Sequence, residues 1–163
     1  YNRRYLDMEI DALWDMAVST HKPFALLMID VDNFKAYNDH YGHDSGDQCL
    51  HAIAGHIDGI LRSTNAQGLT HDAFAARYGG EEFVVALPDV TAYAYEGIAN
   101  LILDDLRQQA LPHPKNVQWG IVTASIGGCR IESANDSVAD LYRLADSNLY
   151  RAKNDGRNRV VLS

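Results

Sequence analysis

The feature that most constrains the fold is a short, continuous apolar run, Phe24-Ala25-Leu26-Leu27-Met28-Ile29. This pattern predicts a central β-strand that is covered by other elements on both faces. The run stops at Asp30-Val31-Asp32, where a rigid strand end holds side chains firmly while their tips reach solvent. Two acids at such a place can bind a metal ion or cap the next helix, and the pair alone leaves both readings open.

Helical and strand-like segments alternate around this strand. Apolar residues with helical spacing occur in residues 6–17, 50–61, 98–106 and 138–152, and further strand-like segments occur in residues 74–77, 83–87, 121–126 and 160–162. Residues 33–47 form a polar stretch, and residues 63–72 are predicted to form a loop. A hairpin around Gly79-Gly80, set inside this alternating pattern, predicts one α+β domain with a mixed, largely antiparallel central sheet flanked by helices, of the ferredoxin-like or palm type.

Composition limits the partners that this chain can have. Its 163 residues suit one domain, and its net charge of −8 disfavours nucleic-acid polymers and anionic membranes. A polyphosphate ligand would therefore need a local cluster of positive charge. No apolar run is long enough to cross a membrane, and two scattered cysteines form neither a disulfide framework nor a zinc motif, so we expect a cytoplasmic domain. Because the chain opens at Tyr1 without a start methionine, we expect a fragment of a longer protein.

A second acidic site follows the predicted hairpin turn, in Gly79-Gly80-Glu81-Glu82-Phe83. Neighbouring residues of a strand point to opposite faces of the sheet, so the side chains of the two glutamates point to opposite faces unless the turn twists the backbone. If this hairpin lies beside the first strand, one of its carboxylates meets Asp30. Two or three carboxylates and a backbone carbonyl would form a hard oxygen site, suited to Mg²⁺ or Mn²⁺ that holds substrate phosphates.

Cationic and polar side chains occur where a nucleotide would need them. Lys35 lies on the segment that enters a helix, where free backbone N–H groups also attract phosphate. Lys153 and Arg157 close the last helix, where they can bind phosphate or complement the helix dipole. Asn38 and Asp47 have the donors and acceptors to read a guanine edge, with a turn residue and a helix cap as the alternatives.

In sequence and in order, these motifs resemble the GGDEF family of diguanylate cyclases. The matching residues are Asn2-Arg3-Arg4-Tyr5, Asp30 to Lys35, Asn38-Asp39, Tyr41 to Asp44, Gly46-Asp47, Gly79 to Phe83, Ala145-Asp146, Leu149-Tyr150, Ala152-Lys153 and Gly156 to Asn158. The hairpin motif is the glutamate version of the motif that names the family, Gly-Gly-Glu-Glu-Phe. The resemblance runs over nearly the whole chain and implies a fold of the nucleotide-cyclase type.

The resemblance also implies roles for individual residues. The implied metal ligands are Asp30, the Val31 carbonyl and Glu82, with Glu81 either as a further ligand or as the group that helps to deprotonate the attacking 3′-hydroxyl. The residues implied to read guanine are Asn38 and Asp47. Those implied to bind phosphates are Lys35, Lys153, Arg157 and the backbone N–H groups near Asn33 and Phe34, with His43 and Arg77 as weaker candidates.

The reaction implied by this family is the condensation of two GTP molecules into cyclic di-GMP and two pyrophosphates, with Mg²⁺ or Mn²⁺ as cofactor. One domain supplies half of an active site, so the resemblance implies a homodimer for catalysis and an upstream sensor domain that brings two copies together. Two other classes remain as alternatives. One is a binding module that holds GTP or cyclic di-GMP without turnover, and the other is a different nucleotidyl cyclase or a palm-like polymerase.

One stretch departs from the family pattern. Many members carry Arg-x-x-Asp just before the hairpin strand, where product binds and inhibits. This chain has Thr70-His71-Asp72-Ala73 there, with the acid displaced by one position and no arginine at the matching spacing. We therefore expect no product inhibition through this stretch.

Overall fold

The structure is a computed structural model, and it describes residues 3–134 and 137–163. The elements in chain order are α1 (Arg3–Thr20), β1 (Phe24–Val31), α2 (Phe34–Tyr41), α3 (His43–Ala66), β2 (Phe74–Gly79), β3 (Glu82–Pro88), α4 (Ala92–Gln109), β4 (Ala124–Ile131), α5 (Val138–Asn154) and β5 (Val160–Leu162). The strands form one sheet in the order β2-β3-β1-β4-β5, in which only β4 and β5 run parallel. The predicted α+β domain with a mixed, largely antiparallel sheet is confirmed.

The apolar run of residues 24–29 forms the middle of the sheet. Every residue of β1 is buried, and the strand pairs with β3 on one side and β4 on the other. Apolar side chains of α1 and α5 cover one face of the sheet, and those of α3 and α4 cover the other. This double cover explains why β1 has no polar residue before its end, at Asp30.

Three element boundaries differ from the prediction. The polar stretch 33–47 is largely helical, because it forms α2 and the start of α3. Helix α2 has one buried residue, Phe34, and Tyr37 packs partly buried against the same core. Helix α3 continues to Ala66, so the predicted loop at 63–72 begins too early; the Thr64 hydroxyl donates to the Leu61 carbonyl within this last turn. Strand β4 begins at Ala124 and continues through Gly127 rather than stopping before it.

The glycine in β4 has a packing reason. A Cβ atom on Gly127 would lie 2.0 Å from the backbone nitrogen of Leu149 in α5, so only a residue without a side chain allows this approach of helix and strand. A residue that breaks a strand pattern in the sequence therefore marks a close contact of α5 with the sheet. Among the described residues, no helix is both long enough and apolar enough to span a bilayer. Asn2, the first residue of the N-terminal motif, lies outside the described residues.

Candidate active site

The two acidic segments meet at the end of the central strand. In the antiparallel register of β1 and β3, Glu82 is the residue directly opposite Asp30. Residues directly opposite each other in such a pair project to the same face of the sheet, with their Cβ atoms about 4.5–5.5 Å apart. The hairpin thus does lie beside the first strand, and Glu82 is the carboxylate that meets Asp30.

Burial and charge together raise the pKa of both carboxyl groups. For Asp30 burial is the main cause, and the Lys153 ammonium, which donates a hydrogen bond to Asp30 Oδ2, acts in the opposite direction. For Glu82 burial is again the main cause, followed by the negative charge of Asp30 and, more weakly, that of Asp146 in α5. Two partly buried acids with further negative charge around them at one strand end form a site where additional positive charge would be stabilising.

Lys153 supplies the one cation that contacts this acid pair in the described part of the chain. Its position in the last turn of α5 agrees with the dipole of that helix, but its ammonium also reaches across 123 residues of sequence to Asp30. No group of three or more histidine, cysteine, aspartate or glutamate side chains in residues 3–134 and 137–163 is gathered as a complete set of metal ligands. The two facing carboxylates are hard oxygen donors, of the kind that suits Mg²⁺ or Mn²⁺.

The hairpin turn is held by Arg77. Its Nε donates to the Gly80 carbonyl oxygen at 2.8 Å, across a bulge in the β2–β3 pairing. The carbonyl oxygen of Glu81 accepts from the Val31 backbone N–H at 3.3 Å, which ties the turn to β1. Arg77 is a weaker candidate for phosphate binding, and in the structure its Nε stabilises the hairpin turn through the bond to Gly80.

Asp32 differs from its neighbour Asp30 because its carboxylate is buried and bonded within the protein. It accepts hydrogen bonds from the Thr123 hydroxyl at 2.8 Å, the Ser125 hydroxyl at 2.7 Å and the Asn158 backbone N–H at 3.0 Å. The cap position of the next helix is occupied by Asn33 rather than Asp32. Asp32 instead joins the end of β1 to β4 and to the turn after α5.

The start of α2 is shaped by two residues from the loop between α4 and β4. Asn33 has a left-handed backbone, with φ at 53°, and its side-chain amide donates to Asn116 Oδ1 at 2.8 Å. Nε2 of the buried His113 lies 3.1 Å from the Asn33 carbonyl oxygen, and burial lowers the pKa of this histidine. The first backbone N–H groups of a helix have no partner within it, so this turn presents donors near the acid pair. Lys35, one residue into the helix, is exposed.

The packing of α2 on α3 places Asn38 against Gly46, the residue before Asp47. Oδ1 of Asn38 is buried, and this acceptor has no hydrogen-bond donor in the structure. A Cβ atom on Gly46 would lie 1.7 Å from this oxygen, so the glycine makes room for the amide. Asp47 is the next residue and is exposed, as is His43 at the first position of α3.

An open groove lies next to these residues, between α3 and the β2–β3 hairpin. Its volume is about 930 Å³, within the range of small-molecule sites, and its lining includes Asp47, Arg77 and Phe83. Arg157 lies on the turn after α5, where its backbone φ is 66° and its side chain is exposed. The structure therefore gathers the acid pair and Lys153 at one strand end, and it places Asn38 beside the residue that precedes Asp47.

Sequence reasoning missed several residues that shape this site. His113, Asn116 and Arg107 act through hydrogen bonds to residues 51 to 83 positions away, so no local motif contains them. Asp146 appeared only as part of a family motif, without a role. The available signal for His113 and Asn116 was their place in a polar loop directly before a buried strand, a position where functional side chains collect.

An α+β sheet whose central strand ends in an acid pair facing a glycine-rich hairpin defines a palm-type domain with a nucleotide-cyclase architecture. The chain belongs to the GGDEF domain family, because the family model described as "Diguanylate cyclase, GGDEF domain" matches residues 1–159.

Relatives and solved structures agree with this assignment. The chain is 37% identical over 163 residues to the diguanylate cyclase VdcA of Vibrio cholerae, covering 99% of this chain and 44% of the relative. A solved structure of the active GGEEF domain of a diguanylate cyclase from Vibrio cholerae has a TM-score of 0.80 and 32% identity, covering 99% of this chain and 96% of the other. The GGDEF domain of DgcB from Caulobacter crescentus, solved in complex with c-di-GMP, has a TM-score of 0.76 and 30% identity, covering 99% and 90%. The chain spans less than half the length of the curated relatives it matches.

Proposed function

We propose that this domain is a diguanylate cyclase that condenses two GTP molecules into cyclic di-GMP. The 3′-hydroxyl oxygen of each GTP attacks the α-phosphorus of the other, the bond from that phosphorus to the β-phosphate oxygen breaks, and the hydroxyl proton passes to a base. Two such steps close the ring and release two pyrophosphates. The observation that carries the proposal is the placement of Glu82 directly opposite Asp30 at the end of β1.

The acid pair is the proposed binding place for Mg²⁺ or Mn²⁺, held by Asp30, Glu82 and the Val31 carbonyl, with Glu81 as a further ligand or as the base. The fit rests on the chemistry of these donors and on their burial, which leaves two carboxyl groups with raised pKa values at one place. When bound, the metal lowers the pKa of the attacking hydroxyl and neutralises charge on the phosphates. Lys153 would then exchange its contact with Asp30 for one with substrate phosphate.

The nucleotide itself is assigned to the helix starts and the groove beside α3. Backbone N–H groups of Asn33 and Phe34 face the triphosphate, together with the side chains of Lys35, Lys153 and Arg157; His43 and Arg77 remain weaker candidates. The Asp47 carboxylate and the Asn38 amide, whose Oδ1 is buried against Gly46, support a guanine site, because a guanine edge supplies N1–H and N2–H₂ donors for a carboxylate and acceptors for an amide N–H. Adenine lacks that pair of donors, so the same two residues favour GTP over ATP.

The proposed reaction needs two copies of the domain, each of which presents one GTP to the other. An upstream sensor domain in the full-length protein would set how often two copies meet, since proximity governs the rate of such a step. Specific activity should therefore rise with protein concentration until the dimer is saturated. Product formed at constant specific activity by protein that is monomeric at the same concentrations would contradict the dimer requirement.

The direct test is product analysis after incubation with GTP and Mg²⁺. We expect cyclic di-GMP and pyrophosphate from the wild type, none from Glu82→Ala, and weaker GTP binding in Asp47→Ala. Glu96→Ala, which removes an exposed glutamate of α4, is the matched control and should keep wild-type turnover. GTP binding without product would favour the binding module, and equal use of ATP would favour a different nucleotidyl cyclase.

We also propose that residues 70–73 do not bind product. The Thr70 hydroxyl is buried and donates to Asn65 Oδ1 at 2.6 Å, and the Ala73 backbone N–H donates to the same oxygen at 3.1 Å, so this stretch is folded against the end of α3. Inhibition of turnover by added cyclic di-GMP that disappears in Asp72→Ala would overturn this proposal.

A further inference from the structure

The turn between α5 and β5 has an unusual backbone. Three consecutive residues have positive φ angles: Gly156 at 125°, Arg157 at 66° and Asn158 at 49°. The last two carry a Cβ atom, which disfavours this left-handed region. Such conformations persist where the surrounding structure holds them in place. The turn that presents Arg157 therefore depends on contacts outside itself.

Asn158 receives these contacts from two sides. On one side, Arg107 of α4 donates from Nε to the Asn158 side-chain oxygen at 2.9 Å and from Nη2 to the Asn158 carbonyl oxygen at 2.8 Å. On the other side, the Asn158 backbone N–H donates to the buried Asp32 at 3.0 Å. The side chain, carbonyl and amide of the residue that follows Arg157 are thus all fixed.

The two donors of Arg107 belong to one planar guanidinium, so they hold two acceptors of Asn158 at a defined angle. A lysine has no such fork and would reach one acceptor at most. A third nitrogen, Nη1, pairs with Asp104 one turn earlier in α4 at 3.1 Å, but both side chains of this pair are exposed to solvent, so the pair adds little to the hold on Asn158. The pair with Asp104 uses only Nη1 of Arg107, so the other two donors, Nε and Nη2, are available to hold Asn158 in the turn.

We propose that Arg107 is a positioning residue for nucleotide binding, which holds Asn158 so that the neighbouring Arg157 points its guanidinium at substrate phosphate. This inference rests on the proposed function, because it takes the phosphate-binding role of Arg157 from there. Arg107 itself does not contact the nucleotide. Its effect should therefore appear only through Arg157 and should disappear when Arg157 is absent.

A double-mutant cycle tests this dependence. The measured quantity is the Kd of the protein for a non-reacting GTP analogue, α,β-methylene-GTP, with Mg²⁺ by calorimetry. We expect Arg107→Met and Arg157→Met each to weaken binding about tenfold, and the double variant to be no weaker than about tenfold, because the two changes remove one contact. Arg107→Lys should behave like Arg107→Met. In turnover assays the KM for GTP should rise in these variants more than kcat falls.

Two control variants separate positioning from a general loss of charge or stability. Asp104→Asn removes the ion pair behind Arg107 and leaves its bonds to Asn158, and Arg143→Met removes the comparable pair with Asp140 on α5. Both should bind the analogue like the wild type. Wild-type affinity in Arg107→Met, no effect of Arg157→Met, or a double variant weakened about a hundredfold would each overturn the inference. A wild type that binds the analogue but forms no product from GTP refutes the cyclase proposal while the coupling between the two arginines is still measured.

Discussion

Gly46→Ala should damage the guanine site while leaving the fold intact. The new Cβ atom would lie 1.7 Å from Oδ1 of Asn38, whereas ordinary van der Waals contact begins at about 3.4 Å. The Asn38 amide must therefore withdraw by about 1.7 Å, several times the few tenths of an ångström over which a hydrogen bond keeps its strength. We expect one base contact to be lost, at a cost of about 1–2 kcal/mol, which is roughly a 5- to 30-fold higher Kd for GTP.

Stability should move differently from binding in this variant. Replacing glycine by alanine inside a helix stabilises it by about 0.5–1 kcal/mol, and the displaced Asn38 side chain offsets part of that gain. Gly59→Ala is the matched control, because it lies in the same helix, does not line the groove, and its Cβ atom would meet nothing within 4 Å. We expect Gly59→Ala to raise the denaturation midpoint and to keep wild-type affinity for GTP.

The assay is calorimetric titration with α,β-methylene-GTP and with the corresponding ATP analogue. Gly46→Ala should lose affinity for the GTP analogue, lose part of its preference over the ATP analogue, and match Asn38→Ala in both respects. Wild-type affinity and selectivity in Gly46→Ala would refute the reasoning, since the amide would then have no role at the base.

Three further predictions concern stability. Glu82→Gln should raise the free energy of unfolding at pH 7 by about 0.5–1 kcal/mol after allowance for solvent screening, because it removes a partly buried charge beside Asp30. The pKa values of the Asp30 and Glu82 carboxyls are raised in the folded state, so the folded state binds more protons than the unfolded state. The free energy of unfolding should therefore fall as pH rises from about 4 through the folded pKa values. Glu82→Gln should make this pH dependence flatter, and a steeper dependence would contradict the direction of the shift. Gly127→Ala should destabilise the fold by about 3 kcal/mol in chemical denaturation, since its Cβ atom would collide with the backbone of Leu149. Asp32→Asn should cost about 2–3 kcal/mol by the same measurement, because one amide cannot accept from all three donors, and an unchanged midpoint would contradict its assigned role.

The sheet could be predicted from the sequence because its signals are local. The apolar run of β1, the two glycines of the hairpin and the short last strand each appear within a few residues, and their order leaves few ways to pair the strands. Helix α2 was less visible, since it buries mainly Phe34 and has little apolar stripe to detect. The continuation of β4 through Gly127 was also hidden, because the glycine reflects the approach of α5 from elsewhere in the chain.

The acid pair was predictable for the same reason, and its surroundings were not. Asp30 and the glutamates end strands whose pairing follows from the hairpin. The hydrogen bonds of Lys153 to Asp30 and of Arg107 to Asn158 join distant parts of the chain, so they cannot be predicted from the spacing of residues in the sequence. Asp32 looked equivalent to Asp30 in sequence, and only the hydroxyls of β4 show that its carboxylate is already bonded.

Mn²⁺ binding in the presence of α,β-methylene-GTP, measured by electron paramagnetic resonance, tests directly whether the two strand ends form a metal site. The wild type should bind Mn²⁺, and Asp30→Asn and Glu82→Gln should each lower the affinity at least about tenfold, because each removes one of the two facing carboxylates. Asp104→Asn, which removes an exposed acid of α4, should bind like the wild type. Unchanged Mn²⁺ affinity in both Asp30→Asn and Glu82→Gln would contradict the claim that these two strand ends form the metal site.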